Sequence, residues 1–419
     1  MRIALVCEHA APLPVHGLSG ATAHAGTAEE PQSVYIAMLS RQLAKLGHRV
    51  TVYTRARSSG VPARARMGRG VMVEHLPAGP AEPLGEDDVK PHLGEFGARL
   101  AERWAEEPPD VVHAHDWPGG LAALAGAREL RVPVVQSFHS LGLSERRAGL
   151  PVAPERVRLE AAVGRSADRV FATHSNQLFE LARMGVPRTA VNVVPYGVDT
   201  DHFTPEGVAA AAPWQGRREE RPRVLAVGPL ARHGGAAQLV EAMGLVPEAE
   251  LLLVGGPAAD DLAIDPDVAR LRYHAKEAGV DDRVSFTGRI EARELPRLLR
   301  SADTVVCANR YEPYGSVVLE AMACGVPVIA EAVGGKADVV LDGTTGVLLP
   351  SVRPGVLGSA LRRLLANPTQ RSALGIAAAD RARSRYAWTR VAAEAARGYQ
   401  RAMPLAETPV EEELDEDAI

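Results

Sequence analysis

The residues with the clearest chemical potential lie between Tyr311 and Pro327, where Glu312, Pro313, Tyr314, Gly315, Ser316, Val317 and Glu320 follow in close order. Pro313 and Gly315 set a tight turn, after which Ser316–Cys324 reads as a helix stopped by Gly325. The first turn of a helix carries backbone N–H groups without intrahelical partners, which suit sugar hydroxyls or phosphate oxygens. Tyr314, Gly315, Ser316 and Val317 are therefore candidate binding positions. Glu320, one turn further on, has the geometry to accept paired hydrogen bonds from a ribose diol, and Glu312, before the turn, to grip a sugar. A capped surface helix can carry two glutamates at this spacing by chance. The complete string argues against that reading.

A chain must hold such a turn at the end of a strand, and the surrounding pattern supplies strands. Short apolar runs alternate with amphipathic stretches, the signature of parallel sheets built from βαβ units. In the first half the runs are Ile3–Cys7, Val50–Thr54, Val71–His75, Val111–His113, Val132–Ser137, Val170–Thr173 and Val191–Val194. Between the first two, Tyr35, Met38, Leu39, Leu43 and Leu46 recur at helical spacing. Residues 199–222 then break the pattern with Thr204-Pro205-Glu206-Gly207, an alanine run and a cluster of charges, and read as a linker. The series restarts with Val224–Val227, Leu251–Val254, Val284–Phe286, Thr304–Cys307, Val326–Ala330 and Val347–Leu349. The expected organisation is two doubly wound α/β domains, residues 1–198 and 223–385, facing each other across a ligand cleft. A helical segment at 386–403, placed to cross back to the first domain, and an acidic tail at 404–419 complete it.

The bulk properties restrict the class. A chain of 419 residues exceeds one ordinary core. No apolar run reaches the roughly 18 residues that span a bilayer. Cys7, Cys307 and Cys324 are odd in number and form no Cys-x-x-Cys pair, so they read as small core residues in a reducing cytoplasm. The formal charge of -5 misleads, because seven acids and no base follow Arg401 in a tail of disordered composition. Dispersed arginines and sparse aromatics exclude a nucleic-acid surface. No cluster suggests a metal site, and no cofactor is implied.

These residues bring a family into view. The sequence resembles the retaining GT-B glycosyltransferases, in particular the group of D-inositol-3-phosphate glycosyltransferases. The resemblance rests on Glu8-His9-Ala10-Ala11-Pro12-Leu13, Val112-His113-Ala114-His115, Phe138-His139-Ser140-Leu141-Gly142, Val194-Pro195-Tyr196-Gly197-Val198-Asp199, the Glu312–Glu320 block and Gly334-Gly335. It implies a GT-B architecture of two Rossmann-like domains, with a nucleotide sugar as co-substrate, most commonly a UDP-sugar, and a small polar or natural-product acceptor. By the same resemblance Glu320 binds the donor ribose, Glu312 contacts the donor sugar and His139 approaches the sugar near its reacting carbon. The base-binding loop corresponds to Gly288-Arg289-Ile290, with Arg289 and Ile290 meeting the base. The family mechanism needs no protein nucleophile: the leaving diphosphate is stabilised electrostatically and takes the acceptor's proton. A homodimer is compatible with this reading.

Three anion-binding elements depart from the family pattern. Glu30-Pro31 stands where a glycine pair precedes the first long helix, and proline offers no N–H to phosphate. Gly228-Pro229-Leu230 lacks the arginine expected after the first strand of the second domain. Arg232-His233-Gly234-Gly235 has a histidine where a lysine is usual, with Arg232 one position early. Gly228, Arg232 and His233 are thus the candidate diphosphate contacts. Lys336, after Gly334-Gly335, is either a cation relocated to the cleft or a solvated lysine. Losing one charge-assisted contact costs on the order of 1.5–3 kcal/mol. The alternative to a working transferase is consequently a catalytically degenerate GT-B protein that binds a ligand or serves a partner. The acceptor pocket falls mainly in first-domain loops such as Leu13–Pro31 and Gly142–Pro151.

Overall fold

Runs dense in β-branched residues form the strands of the first sheet: β1 (Arg2–Val6), β2 (Arg49–Arg55), β3 (Arg64–Gly68), β4 (Val71–Leu76), β5 (Val111–His115), β6 (Val134–Ser137), β7 (Arg169–Ala172) and β8 (Val191–Val193). This computed structural model describes residues 1–9, 31–210, 221–309, 311 and 314–403. The strand order is β3-β4-β2-β1-β5-β6-β7-β8, parallel throughout except for β3, which runs antiparallel to β4. Central strands such as β5 are buried along their whole length, as a parallel sheet covered on both faces requires. The sequence reading has no β3. Its two arginines and short length give no apolar run, and every residue is at least partly exposed, because an edge strand needs no apolar face.

A second sheet contains β9 (Arg223–Val227), β10 (Glu250–Val254), β11 (Val284–Gly288), β12 (Thr304–Cys307), β13 (Val328–Glu331) and β14 (Gly346–Leu349). Its order is β11-β10-β9-β12-β13-β14 and its pairings are all parallel. Two doubly wound α/β sheets are thus present, as the alternating pattern predicts.

The helices that matter to the site are α1 (Pro31–Lys45), α2 (Asp116–Ala127), α3 (Gly142–Arg147), α4 (Pro154–Ser166), α5 (Ser175–Arg183), α6 (Ala236–Met243), α7 (Ser316–Ala323), α8 (Gly335–Val339) and α9 (Trp388–Ala402). Helix α1 begins four residues before the expected Tyr35, at a proline, which is tolerated where the backbone N–H would have no partner. Helix α9 lies against α1, so the end of the described chain returns to the first sheet. Its Gly398 permits this approach, since a Cβ there would sit 2.4 Å from the Phe171 ring. The return is fixed where Val198 N donates to Tyr386 O at 2.8 Å and Trp388 covers Gly197.

Cys7, Cys307 and Cys324 are buried thiols. Burial raises the Cys324 pKa to about 12, which suits a core residue and not a nucleophile. Among the described residues no helix is long and apolar enough to cross a membrane. The acidic tail, Glu30 and the loop before it lie outside the described residues.

Candidate active site

In each sheet the chain winds outward from a central strand and then returns to that strand's other side. This leaves a crevice beyond the carboxyl ends of the two neighbouring strands. In the first sheet the pair is β1 and β5, and the residues that follow them are Cys7-Glu8 and Asp116-Trp117. In the second it is β9 and β12, followed by Gly228-Pro229 and Ala308-Asn309. The first crevice is lined by polar groups, the second mostly by glycines and apolar side chains with Asn309 at its edge.

The first opens into a cavity of about 340 Å³ whose lining includes Glu8, Glu86, Asp116, His139, Arg156 and Tyr314. His139 stands just beyond β6. Its Nε2 lies 2.9 Å from His115 Nδ1, and its ring is nearly parallel to that of His115. Tyr35 meets the His139 ring edge-on at 4.9 Å, and the Tyr314 ring lies 5.8 Å away. Behind them His113 is held by Tyr399 Oη and Ser137 Oγ, each at 2.8 Å. Burial drives the pKa of His113 and of His139 down to about 3, and that of His115 well below its ordinary value. All three imidazoles are therefore neutral at physiological pH. In a neutral pair one ring donates to the other, so the two outward nitrogens, His139 Nδ1 and His115 Nε2, present one donor and one acceptor. Neither nitrogen has a hydrogen-bond partner among the described residues.

Asp116 holds His139 from below, its Oδ1 accepting the His139 backbone N–H at 2.8 Å. Asp116 adopts a left-handed backbone with φ of 56°, one of two non-glycine residues in that region among those described. Such a conformation costs roughly 1–3 kcal/mol, which the surrounding bonds must offset. Burial raises the Asp116 pKa against the pull of His9, the backbone amides and Arg156. The Arg156 guanidinium meets Glu160 through Nε at 2.8 Å, and Ser140 Oγ and Glu145 through Nη2 at 2.7 and 3.0 Å. Its Nη1 faces Glu145 at 3.2 Å and Glu86 at 3.3 Å. Burial opposes its charge, but these carboxylates raise its pKa above the ordinary value. Glu8 ion-pairs with the fully buried Arg55 at 2.9 Å.

In the second crevice Gly228 takes a φ of 150° that favours glycine, and a Cβ there would meet nothing within 4 Å. Gly234 and Gly235 press the following loop inward: added Cβ atoms would lie 2.2 Å from Pro229 O and 2.3 Å from Ala308 O. Arg232 is exposed, while the His233 side chain lies outside the described residues. Lys336 is wholly buried, so it is not a solvated lysine. Its Nζ donates to the Asn309 carbonyl and lies 3.2 Å from Asn309 Oδ1, at the edge of this crevice. Helix α7 follows Gly315, whose φ is 67°, and Ser316, Val317 and Glu320 on it are all buried. The Ser316 hydroxyl has no partner among the described residues. At the end of β11, Ile290 is buried and Arg289 exposed. The Arg289 N–H donates to Pro257 O at 2.7 Å, which leaves its carbonyl and the Ile290 amide available for a base.

Tyr314 joins the two halves, since it lines the first cavity and packs at a tilt against Tyr196, ring centres 5.0 Å apart. A further cavity of about 280 Å³ between the halves is lined by Ser140, His174, Glu180, Tyr311, Glu331 and Gly334, among others. His139 and Tyr314 are thus brought together, and Gly228 and the buried Lys336 lie at the second crevice. Arg232 does not line either crevice, and Glu312 lies outside the described residues. Nothing in the sequence marks Asp116 or Arg156 as site residues. The available signal for Asp116 is its position immediately after β5, at the crevice that the winding creates. Among the described residues no group of three or more His, Cys, Asp or Glu side chains is placed to hold a metal ion.

Comparison with known proteins agrees with this geometry. The Glycosyl transferase 4-like domain matches residues 32–197, and Glycosyl transferases group 1 matches residues 211–381. D-inositol 3-phosphate glycosyltransferase of Xylanimonas cellulosilytica is 34% identical, covering 94% of this chain and 94% of its own. That of Frankia alni is 34% identical over 90% and 96%. Among solved structures, sucrose-phosphate synthase from Thermosynechococcus elongatus superposes with a TM-score of 0.78 at 26% identity, over 96% and 98% of the two chains. Anabaena HepE, solved in complex with UDP and glucose, shares the fold, with a TM-score of 0.69 at 18% identity over 95% and 99%. The twin crevices, the two matched family models and the relatives spanning nearly the whole chain have one joint consequence: the chain belongs to the GT-B glycosyltransferases.

Proposed function

We propose that the protein transfers a sugar from a UDP-sugar to a small polar acceptor with retention of anomeric configuration, and that it works in the cytoplasm. The observation that carries this reading is the meeting of His139, from the first crevice, with Tyr314, from the turn that precedes α7. The donor would lie across the mouth of the second crevice, whose recess of about 30 Å³ is far too small for a nucleotide. The Arg289 carbonyl and Ile290 would meet the base, and Glu320 the ribose. Tyr314, Gly315, Ser316 and Val317 would face the sugar and phosphates, with Glu312 beside the sugar.

Diphosphate charge would be met by Lys336, the amides near Gly228 and Gly235, and Arg232 and His233 from the following turn. A neutral His139 suits a hydrogen bond to a sugar hydroxyl, since an imidazole with a pKa of about 3 is a poor base. The leaving diphosphate would accept the acceptor's proton on the face where the new bond forms. The relatives are named for an inositol phosphate acceptor; a polyol of that size fits the 340 Å³ cavity.

Calorimetric titration with UDP and UDP-sugars, followed by a transfer screen over polyols, tests the reading. Micromolar UDP binding with sugar transfer is the expected result. Absence of UDP binding would refute it and favour a degenerate ligand-binding protein.

A further inference from the structure

The cavity of about 280 Å³ between the halves has no part in the reading above, yet it adjoins the 340 Å³ cavity, because Ser140 lines both. Its first-domain wall includes Ser144, Arg147 and Ala148, on and just after α3, in the loop that the sequence marks for the acceptor. Helix α5 adds Glu180 to that wall. Tyr311 and the residues at and after the end of β13 close the cavity from the second domain.

Two carboxylates border it from opposite halves. Glu180 is 3% exposed. Its Oε1 meets Arg147 Nη1 at 2.5 Å, while its buried Oε2 has no hydrogen-bond partner among the described residues. Glu331, the last residue of β13, also has a buried Oε2 without a partner among them. Buried carboxylate oxygens are ordinarily bonded, so two left open on one cavity point to donors brought by a ligand. The wall also carries donors of its own. His174 accepts the Gln177 backbone N–H on Nδ1 at 3.2 Å, and burial holds its pKa at about 4. Its neutral ring therefore keeps a proton on Nε2. Leu141 and Val333 supply apolar surface for the face of a ring. A hydroxyl both donates and accepts, whereas an ammonium only donates and a phosphate dianion only accepts. Open carboxylate oxygens mixed with N–H and O–H groups therefore suit hydroxyls.

We propose that this cavity is a subsite for a neutral sugar or polyol ring, its hydroxyls shared between Glu180 and Glu331, and that the ring belongs to an acceptor of two linked rings whose reacting ring occupies the 340 Å³ cavity. This rests on the sugar-transfer reading and extends it to the size of the acceptor. The link between the rings runs past Ser140, whose hydroxyl Arg156 holds at 2.7 Å. A ring bonded to both glutamates also ties the two halves together.

The test uses the full chain saturated with UDP and titrated by calorimetry. The probes are the single rings myo-inositol, glucose and galactose, and the two-ring compounds built from them: galactinol, maltose, trehalose and lactose. At least one two-ring compound is expected to bind about tenfold more tightly than either of its component rings. Glu180→Gln and Glu331→Gln should each reduce that preference about tenfold, because the amide keeps the shape but loses the charge-assisted bond. UDP affinity measured on the same variants reports that they are folded. Two-ring compounds that bind no more tightly than their component rings overturn the proposal. A preference that either variant retains in full, or no binding of any probe, overturns it as well. Failure of UDP itself to bind sinks the donor reading instead, and the two-ring preference is then judged on the chain without nucleotide.

Discussion

Replacement of His139 by glutamine separates two roles that look alike on paper. If the imidazole acted as a general base, its removal would cost about 10²–10⁴ in rate, and a limb near pH 6.5 would mark the wild-type profile. The structure argues for a different size of effect. The ring is 2% exposed and burial holds its pKa at about 3, so it stays neutral at every pH above roughly 4. What it can offer the sugar is one neutral hydrogen bond, worth about 0.5–1.5 kcal/mol. That converts to a loss of roughly 2- to 13-fold in kcat for His139→Gln. Glutamine retains a polar group that can bond His115, so the fold is expected to persist. The assay is UDP release from a UDP-sugar, with water as acceptor, between pH 5.5 and 8.5. A wild-type profile without a histidine limb, and a modest parallel drop in the variant, are expected. A thousandfold loss together with disappearance of a limb near pH 6.5 would refute the neutral-positioning argument.

Other outcomes follow from the same contacts. Tyr399→Phe keeps the ring but strands His113 Nδ1 in a buried spot, so urea unfolding should show about 1–3 kcal/mol of lost stability. Acid should weaken the fold before the carboxylates titrate: the unfolded histidines take protons near pH 6.5, while folded His113 and His139 resist until about pH 3. Stability is therefore full above pH 6.5 and falls as pH drops through that window, most visibly in urea midpoints at pH 7.5, 6.0 and 5.0. Lys336→Met should weaken UDP binding about 10- to 100-fold while leaving uridine affinity unchanged, and equal losses for both would place Lys336 away from the diphosphate. Gly235→Ala should lower the melting temperature and UDP affinity together, because its Cβ would collide with the Ala308 carbonyl.

Much of the fold was legible because parallel strands buried on both faces declare themselves as short apolar runs, as in β1, β10 and β12. β3 was not legible, since an antiparallel edge strand of arginines and alternating exposure has no apolar signature. The turn and helix from Tyr314 to Gly325 could be read residue by residue, because glycine at both ends and an intervening apolar face specify them locally. The site's charge pattern was hidden for the opposite reason. Arg156 meets Glu145 and Glu86 across chain separations that sequence order does not reveal, and the sequence leaves Lys336 open between a relocated cleft cation and a solvated lysine until its burial excludes the second. Asp116 carries no mark in the sequence, and only the fold shows its carboxylate accepting the His139 amide.

The pairing of residues around Val198 with those around Ala387 has a mechanical consequence. The chain passes from one sheet toward the other and later returns, and the two passages lie side by side, tied by Val198 N to Tyr386 O and Trp388 N to Val198 O. Two adjacent cords resist twisting and sliding far better than one, yet bend together with little resistance. Such a pairing would favour rotation of the halves about an axis beside Gly197 and Trp388 over twisting or sliding between them. A rotation about such an axis would change the gap between His139 and Tyr314, so opening to admit a donor and closing upon it would be one coordinate.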